Sequence, residues 1–128
     1  MNTALLMRAS SIVMGVIGVA AIFAPEEVIA QIGGPAGVFN KLLIEIAGAL
    51  YFGFALMNWM AQGNLIGGVY SRPVAMGNFA HFFIAGMALI KIVIAGEHSI
   101  PALVGAAVYT VFAVLFAVVV FGEVKQST

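Results

Sequence analysis

Four long apolar stretches constrain this chain more than any other feature of its sequence. They are Leu5–Ala24, Asn40–Ala61, Val74–Ala95 and Pro101–Phe121. Each is close to the roughly 20 residues with which an α-helix crosses about 30 Å of hydrocarbon, and about twice as long as the roughly 10 residues of a membrane β-strand. None alternates apolar and polar residues as a barrel strand does. The sequence therefore predicts an all-α fold class, an integral membrane four-helix bundle in a single domain over residues 1–128.

The composition indicates that lipid, rather than water, surrounds these helices. Hydrophobic residues make up 63% of the 128 residues and charged residues only 8%, whereas soluble domains carry about 25% charged residues. Because the net charge is zero and no basic run occurs, nucleic acid is not expected as a partner. The chain has no cysteine, which excludes disulfides, thiol catalysis and thiolate metal sites.

Short connections separate the predicted spans. Pro25-Glu26-Glu27 is typical of a helix start, since proline suits a first turn and acids there interact favourably with the helix dipole. Gly33-Gly34-Pro35 ends the helical pattern, so we expect a short helix lying in the membrane interface between the first and second spans. Gly96–Ser99 predicts a tight turn. Trp59 and Tyr70, near span ends, are typical of interfacial anchors.

The distribution of basic residues bears on orientation. We expect the first apolar stretch to remain as a span rather than to be removed as a signal peptide, because two glutamates precede the candidate cleavage site Val28-Ile29-Ala30. With four spans, both termini lie on one side of the membrane. Basic residues slightly favour the cytoplasm for that side, and the near balance leaves dual insertion open. The residues compared are Arg8, Arg72 and Lys125 against Lys41 and Lys91.

Glu45 and Lys91 are charged residues inside predicted spans. Antiparallel neighbouring helices would place them at nearly the same depth, since each residue rises about 1.5 Å. A charge in lipid is best placed facing the bundle and paired, so we expect a structural ion pair between them. The alternatives are that Lys91 extends outward to the interface and that Glu45 is a proton or cation site.

Uncharged polar residues also lie inside the predicted spans. Asn58 and Asn78 should lie level and hydrogen-bond across their helices. His81 lies one turn from Asn78 on the same face, and we expect a hydrogen-bonded packing residue there, with proton relay or ligand contact as alternatives. Tyr51 and Tyr109 lie deep and need hydroxyl partners, which makes them candidate cavity-lining groups. The candidate ligand-binding residues are therefore Glu45, Tyr51, Asn58, Asn78, His81 and Lys91.

Rows of small residues at helical spacing predict the packing faces, because they let backbones approach closely in a bilayer. We expect ordinary packing within the bundle, with a homodimer seam as the alternative. On this basis a leucine at Gly53 should push the second span off its neighbour. The four rows are Ser11, Gly15 and Gly18; Glu45, Ala49 and Gly53; His81, Ala85 and Ala88; and Ala102, Ala106 and Thr110.

Three short motifs accompany the four-span layout. They are Ala24-Pro25-Glu26 after the first span, Asn58-Trp59 at the end of the second, and Gly77-Asn78-Phe79-Ala80-His81 after Arg72. With these motifs the chain resembles the DoxX-like group of small bacterial four-helix membrane proteins. The resemblance implies a bundle in the bacterial inner (cytoplasmic) membrane, and that group includes a subunit associated with quinone-linked sulfur oxidation. The resemblance assigns no catalytic residue.

Different classes of function are compatible with these features. The first is a small integral membrane protein whose bundle binds membrane lipid, a quinone or a partner membrane subunit near Tyr51, Asn78 and His81; no cofactor is assigned. The second is an ion- or proton-coupled transporter or channel that acts as a dimer and uses Glu45. The third is a membrane enzyme with His81 as acid or base, which would also require catalytic geometry and a suitable pKa.

Overall fold

Five helices make up the chain in the computed structural model, which describes residues 2–64 and 71–122. No strand occurs within these two ranges. Tyr70 and Lys125, which enter the anchor and orientation predictions, lie outside the described residues. The helices are α1 (Thr3–Phe23), α2 (Pro25–Ile32), α3 (Val38–Ala61), α4 (Arg72–Ile94) and α5 (Ile100–Phe121).

The four long helices α1, α3, α4 and α5 are long and apolar enough to cross a membrane. Their ends lie within about two residues of the predicted ends, because apolar length is the property that both the prediction and a spanning helix depend on. The all-α fold class, with four candidate spans and a short helix between the first two, is confirmed.

The short helix α2 begins and ends at the predicted residues. Pro25 occupies its first turn together with Glu26 and Glu27. At its end, Gly33 has φ +74°, and the N–H of Gly34 donates to the carbonyl of Ile29 at 3.1 Å. Glycine suits this left-handed cap because it has no Cβ to clash.

The tight turn between α4 and α5 is also confirmed. Gly96 has φ +111°, again a conformation that favours glycine. The backbone N–H of Ser99 donates to Oε1 of Glu97 at 3.1 Å. Pro101 then lies in the first turn of α5, where its missing N–H leaves no helical hydrogen bond unmade.

The chain divides into two compact units. The first, residues 5–62, contains α2, α3 and all of α1 from Leu5 onward, and the second contains α4 and α5. The single domain predicted over residues 1–128 stays a prediction.

In the first unit, α1 and α3 approach each other through glycine. A Cβ added to Gly18 would lie 2.8 Å from the backbone nitrogen of Phe52, and one added to Gly48 would lie 2.9 Å from Cβ of Ala21. Both distances are shorter than the roughly 3.5–4.0 Å at which carbon atoms pack favourably. The two backbones are therefore in direct contact, and no larger residue fits at either glycine.

The predicted packing row of α1 is confirmed, whereas the row predicted for α3 does not face α1. Ser11, Gly15 and Gly18 all face α3. On α3, however, Gly53 is exposed and a Cβ there would meet no atom within 4 Å. The side facing α1 instead carries Gly48 and, two turns later, Ala55. Helix α3 has small residues on more than one face, so spacing alone did not identify the face in contact.

In the second unit, aromatic residues pack between α4 and α5. Phe82 is fully buried, and its ring centroid lies 4.9 Å from that of Phe112 and 5.7 Å from that of Phe116. Gly86, which is not part of the predicted row of α4, also faces α5, but a Cβ there would lie 3.6 Å from Cβ of Tyr109, an ordinary contact distance. The second unit therefore relies on ring packing, whereas the first relies on a glycine pair.

Leucine at Gly48 and leucine at Gly53 should have different effects on stability. Gly48→Leu should lower the free energy of unfolding by about 1–3 kcal/mol, because the added side chain overpacks the contact between α1 and α3. Gly53→Leu, on the open face of the same helix, should leave it nearly unchanged. Thermal unfolding in detergent, followed by Trp59 fluorescence, measures both. Equal losses in the two variants would contradict the described contact.

Candidate functional site

His81 and Tyr109 form the polar centre of the second unit. Nε2 of His81 lies 3.2 Å from the hydroxyl oxygen of Tyr109, and the tautomer of the imidazole decides which group donates. Tyr109 is only 4% exposed, whereas His81 is half-buried. The expectation that the Tyr109 hydroxyl has a partner is confirmed, and so is that of a hydrogen-bonded His81.

Aromatic rings surround this polar pair. The centroid of Phe82 lies 5.0 Å from that of His81 and 5.0 Å from that of Tyr109, with the rings edge to face in both pairs. Phe79 stacks on Phe83 at 5.4 Å along the same helix. Edge-to-face and offset contacts of this kind hold rings in place, so the pair sits in a largely apolar, aromatic environment.

Asn78 lies one turn before His81 on α4 and is fully buried. Its Nδ2 donates to the backbone carbonyl of Val74 at 2.9 Å. This bond to the preceding turn satisfies one amide hydrogen inside the helix itself. The predicted contact between Asn78 and Asn58 would join the two units and stays a prediction.

A second polar group lies between α1 and α3. Nδ2 of Asn58 donates to Oγ of Ser10 at 3.0 Å, and that hydroxyl donates to the carbonyl of Met7 at 3.1 Å. The next residue, Ser11, donates its Oγ hydrogen to the carbonyl of Ala55 at 2.7 Å. Ala55 lies one turn before Asn58 on α3. All three polar side chains are buried. These hydrogen bonds set the register of the two helices, so the structure supports a packing role for Asn58.

The end of α3 is tied to the beginning of α1. Nε of Arg8 donates to Oε1 of Gln62, and Nε2 of Gln62 donates to the carbonyl of Trp59 at 2.8 Å. Half of Trp59 is exposed. A charged side chain and an exposed tryptophan at the ends of candidate spans are typical of the boundary between hydrocarbon and water.

The remaining candidate residues lie on α3 and α4. Glu45 and Tyr51 are half-buried on α3, and Lys91 is exposed near the end of α4. Lys41, one turn before Glu45, pairs with Glu26 at 3.5 Å. The predicted ion pair between Glu45 and Lys91 would join the two units and stays a prediction.

The sequence did not identify Ser10 as the partner of Asn58 or Tyr109 as the partner of His81. Ser10, the partner of Asn58, was not part of the predicted small-residue row, and Tyr109 was treated as a cavity-lining group rather than as the partner of His81. Because α1 and α3 run antiparallel with Gly18 opposite Gly48, Ser10 lies opposite Asn58. Ser10 could therefore be selected only if the contact between the two helices were already known.

Neither metal-ligand clusters nor comparisons with known proteins indicate a function. The described residues hold no group of three His, Cys, Asp or Glu side chains able to share a metal ion. Comparisons of the chain with models of protein families, with curated proteins and with solved structures found no match.

A double-mutant cycle on Ser10 and Asn58 should detect their hydrogen bond. Ser10→Ala and Asn58→Ala should each destabilise the protein, and the double variant should lose less than the sum, by about 0.6–2 kcal/mol. The free energy of unfolding in detergent is the measured quantity. Strict additivity would show that the contact adds no stability.

Proposed function

We propose that this chain is a small membrane protein that binds an amphipathic lipid or a quinone, with a carbonyl oxygen of the ligand accepting a hydrogen bond from the hydroxyl of Tyr109, which His81 orients. The observation that carries the proposal is the hydrogen bond between these two side chains inside an aromatic cluster. Polar side chains within an apolar helix are costly, and they are a reason to expect function.

The depth of the pair suits a hydrophobic ligand. His81 lies about 14 Å from the start of α4 at a rise of 1.5 Å per residue, which places it well inside the candidate span. Quinone carbonyls are among the few hydrogen-bond acceptors that membrane molecules carry to such depths, whereas the ester groups of phospholipids lie near the interface, so the depth favours the quinone. A donor at this level therefore selects ligands by one well-placed polar contact, as small-molecule sites commonly do.

The chemistry of the pair also fits a carbonyl acceptor. When Nε2 of His81 carries the proton, it donates to the oxygen of Tyr109, and the hydroxyl can direct its own proton to the ligand. Hydrogen bonds linked in this way strengthen each other in a medium of low polarity. The ring of Phe82, which lies against both side chains, keeps their surroundings apolar.

Removal of one hydroxyl should weaken binding without disturbing packing. Tyr109→Phe keeps the ring against Phe82 but loses the donor, so the affinity for a short-chain benzoquinone should fall about threefold to tenfold. Titration of the purified protein in nanodiscs measures this, and mass spectrometry of gently purified samples identifies lipid or quinone that is retained.

Thr110→Val is the matched control for Tyr109→Phe. Thr110 is the next residue on α5, is exposed, and donates its hydroxyl to the carbonyl of Ala106 in its own helix. Its loss should leave the affinity unchanged. Equal affinities in wild type, Tyr109→Phe and Thr110→Val, or protein that retains neither lipid nor quinone, would refute the proposal.

Glu45 supports a second candidate function, coupled transport of protons or cations. It is half-buried in the apolar helix α3, and Lys41, the basic residue one turn away, pairs with Glu26 instead. A carboxyl group that lies in a span and pairs with no basic residue of its own unit is suited to bind and release a proton or cation.

Flux measurements would separate this candidate from ligand binding. If the chain transports protons or cations through Glu45, Glu45→Gln should abolish flux in proteoliposomes, because the amide cannot ionise. Glu27→Gln, an exposed acid on α2, should leave flux unchanged. Flux that persists in Glu45→Gln would remove this residue from the transport path.

A further inference from the structure

A cleft opens between α2 and the beginning of α3 in the first unit. Its volume is about 440 Å³, which is within the roughly 300–1,000 Å³ typical of ligand pockets. One wall is α2 and the other is the segment that leads into α3. The lining residues are Glu26, Ile29, Ala36, Gly37, Val38 and Lys41.

Hydrogen bonds hold the walls of this cleft in place. Nδ2 of Asn40 donates to the carbonyl of Pro35 at 2.7 Å, which ties the connecting segment to α3. The N–H of Lys41 donates to the carbonyl of Gly37 at 3.0 Å, and the N–H of Gly34 donates to that of Ile29 at 3.1 Å. The cleft is therefore formed by backbone that is already fixed, which lowers the entropic cost of binding.

Two opposite charges lie at the cleft. Nζ of Lys41 is 3.5 Å from Oε1 of Glu26, and their side chains are 47% and 75% exposed. This distance is longer than the roughly 2.7–2.9 Å of a tight charge-assisted hydrogen bond. Both charged groups therefore keep room for a further partner.

Large apolar side chains are exposed around the same end of the first unit. Phe23 is 81% exposed at the end of α1, and Val38 and Phe39 are 85% and 80% exposed at the start of α3. Charges beside exposed apolar side chains at the ends of candidate spans fit the boundary between lipid head groups and acyl chains.

A smaller cleft on the other side of Ile29 provides a comparison. Its volume is about 210 Å³, and none of its lining residues is ionisable. Both clefts share the wall of α2, so the pair of charges, rather than the presence of a cleft, distinguishes the larger one. The larger cleft therefore suits a ligand that carries both a positive and a negative charge.

We propose that the larger cleft binds the head group of a zwitterionic phospholipid with a primary ammonium, such as a phosphatidylethanolamine. The phosphate would contact Lys41 and the ammonium would contact Glu26, so that each charge meets its opposite. An anionic head group would be attracted by Lys41 but repelled by Glu26. A quaternary ammonium has no N–H to donate to the carboxylate, which favours the primary amine. This site does not depend on the proposed role of His81 and Tyr109.

Native mass spectrometry of the full chain in detergent tests this proposal. The protein is titrated separately with phosphatidylethanolamine, phosphatidylcholine and phosphatidylglycerol of identical acyl chains. We expect at least threefold more bound phosphatidylethanolamine than either of the others. Lys41→Gln and Glu26→Gln should each remove most of this preference. Both residues are exposed, so the variants should fold, and an unchanged midpoint of thermal unfolding verifies this.

Glu27→Gln is the matched control, because Glu27 is the next acid on α2 but does not line the cleft. It should keep the full preference. Equal binding of the three lipids, or equal effects of Glu26→Gln and Glu27→Gln, would overturn the proposal. So would full competition by soluble glycerophosphoethanolamine at the affinity of the lipid, which would indicate a site for a small solute. A dimer that disappears in Lys41→Gln, without any change in bound lipid, would assign the cleft to a second copy of the chain.

Discussion

The contact between the backbones of α1 and α3 is the interaction on which the first unit depends. Between helices in lipid there is little hydrophobic driving force, so close packing and hydrogen bonds must hold them together. Gly18 and Gly48 permit that closeness. Once they meet, the antiparallel register also brings Ser10 to Asn58 and Arg8 to Gln62. One small contact thus positions the polar groups along the whole helix pair.

In the second unit, aromatic rings pack the two helices together. Phe82 fills the space between α4 and α5 and stacks on Phe112 and Phe116. Ring packing offers large contact area with few rotatable bonds. It leaves a place beside Phe82 for the hydrogen bond of His81 with Tyr109. This polar pair is held by rigid neighbours within one helix pair, whereas Asn58 holds α1 and α3 together.

Charge in the first unit is concentrated at its two ends. Arg8 with Gln62 lies where α1 begins and α3 ends, and Glu26 with Lys41 lies where α1 ends and α3 begins. Such an arrangement keeps ionic groups near water while the apolar length between them remains in hydrocarbon. The half-buried Glu45 departs from this pattern, and it lies closer to the Lys41 end.

The number, length and order of the helices could be predicted from the sequence because each depends on local properties. A run of apolar residues determines a span, and Pro25 and Gly33 mark where α2 begins and ends. The same holds for the row of Ser11, Gly15 and Gly18, since α1 has one such face.

The choice of partners was decided by the tertiary structure. Helix α3 offered two faces of small residues, and the one with Gly48 rather than Gly53 meets α1. That choice selected Ser10 as the partner of Asn58, just as the packing of α4 on α5 selected Tyr109 as the partner of His81. Residue spacing describes faces of a single helix, whereas a contact requires the relative rotation and register of two. Only packing in three dimensions determines these.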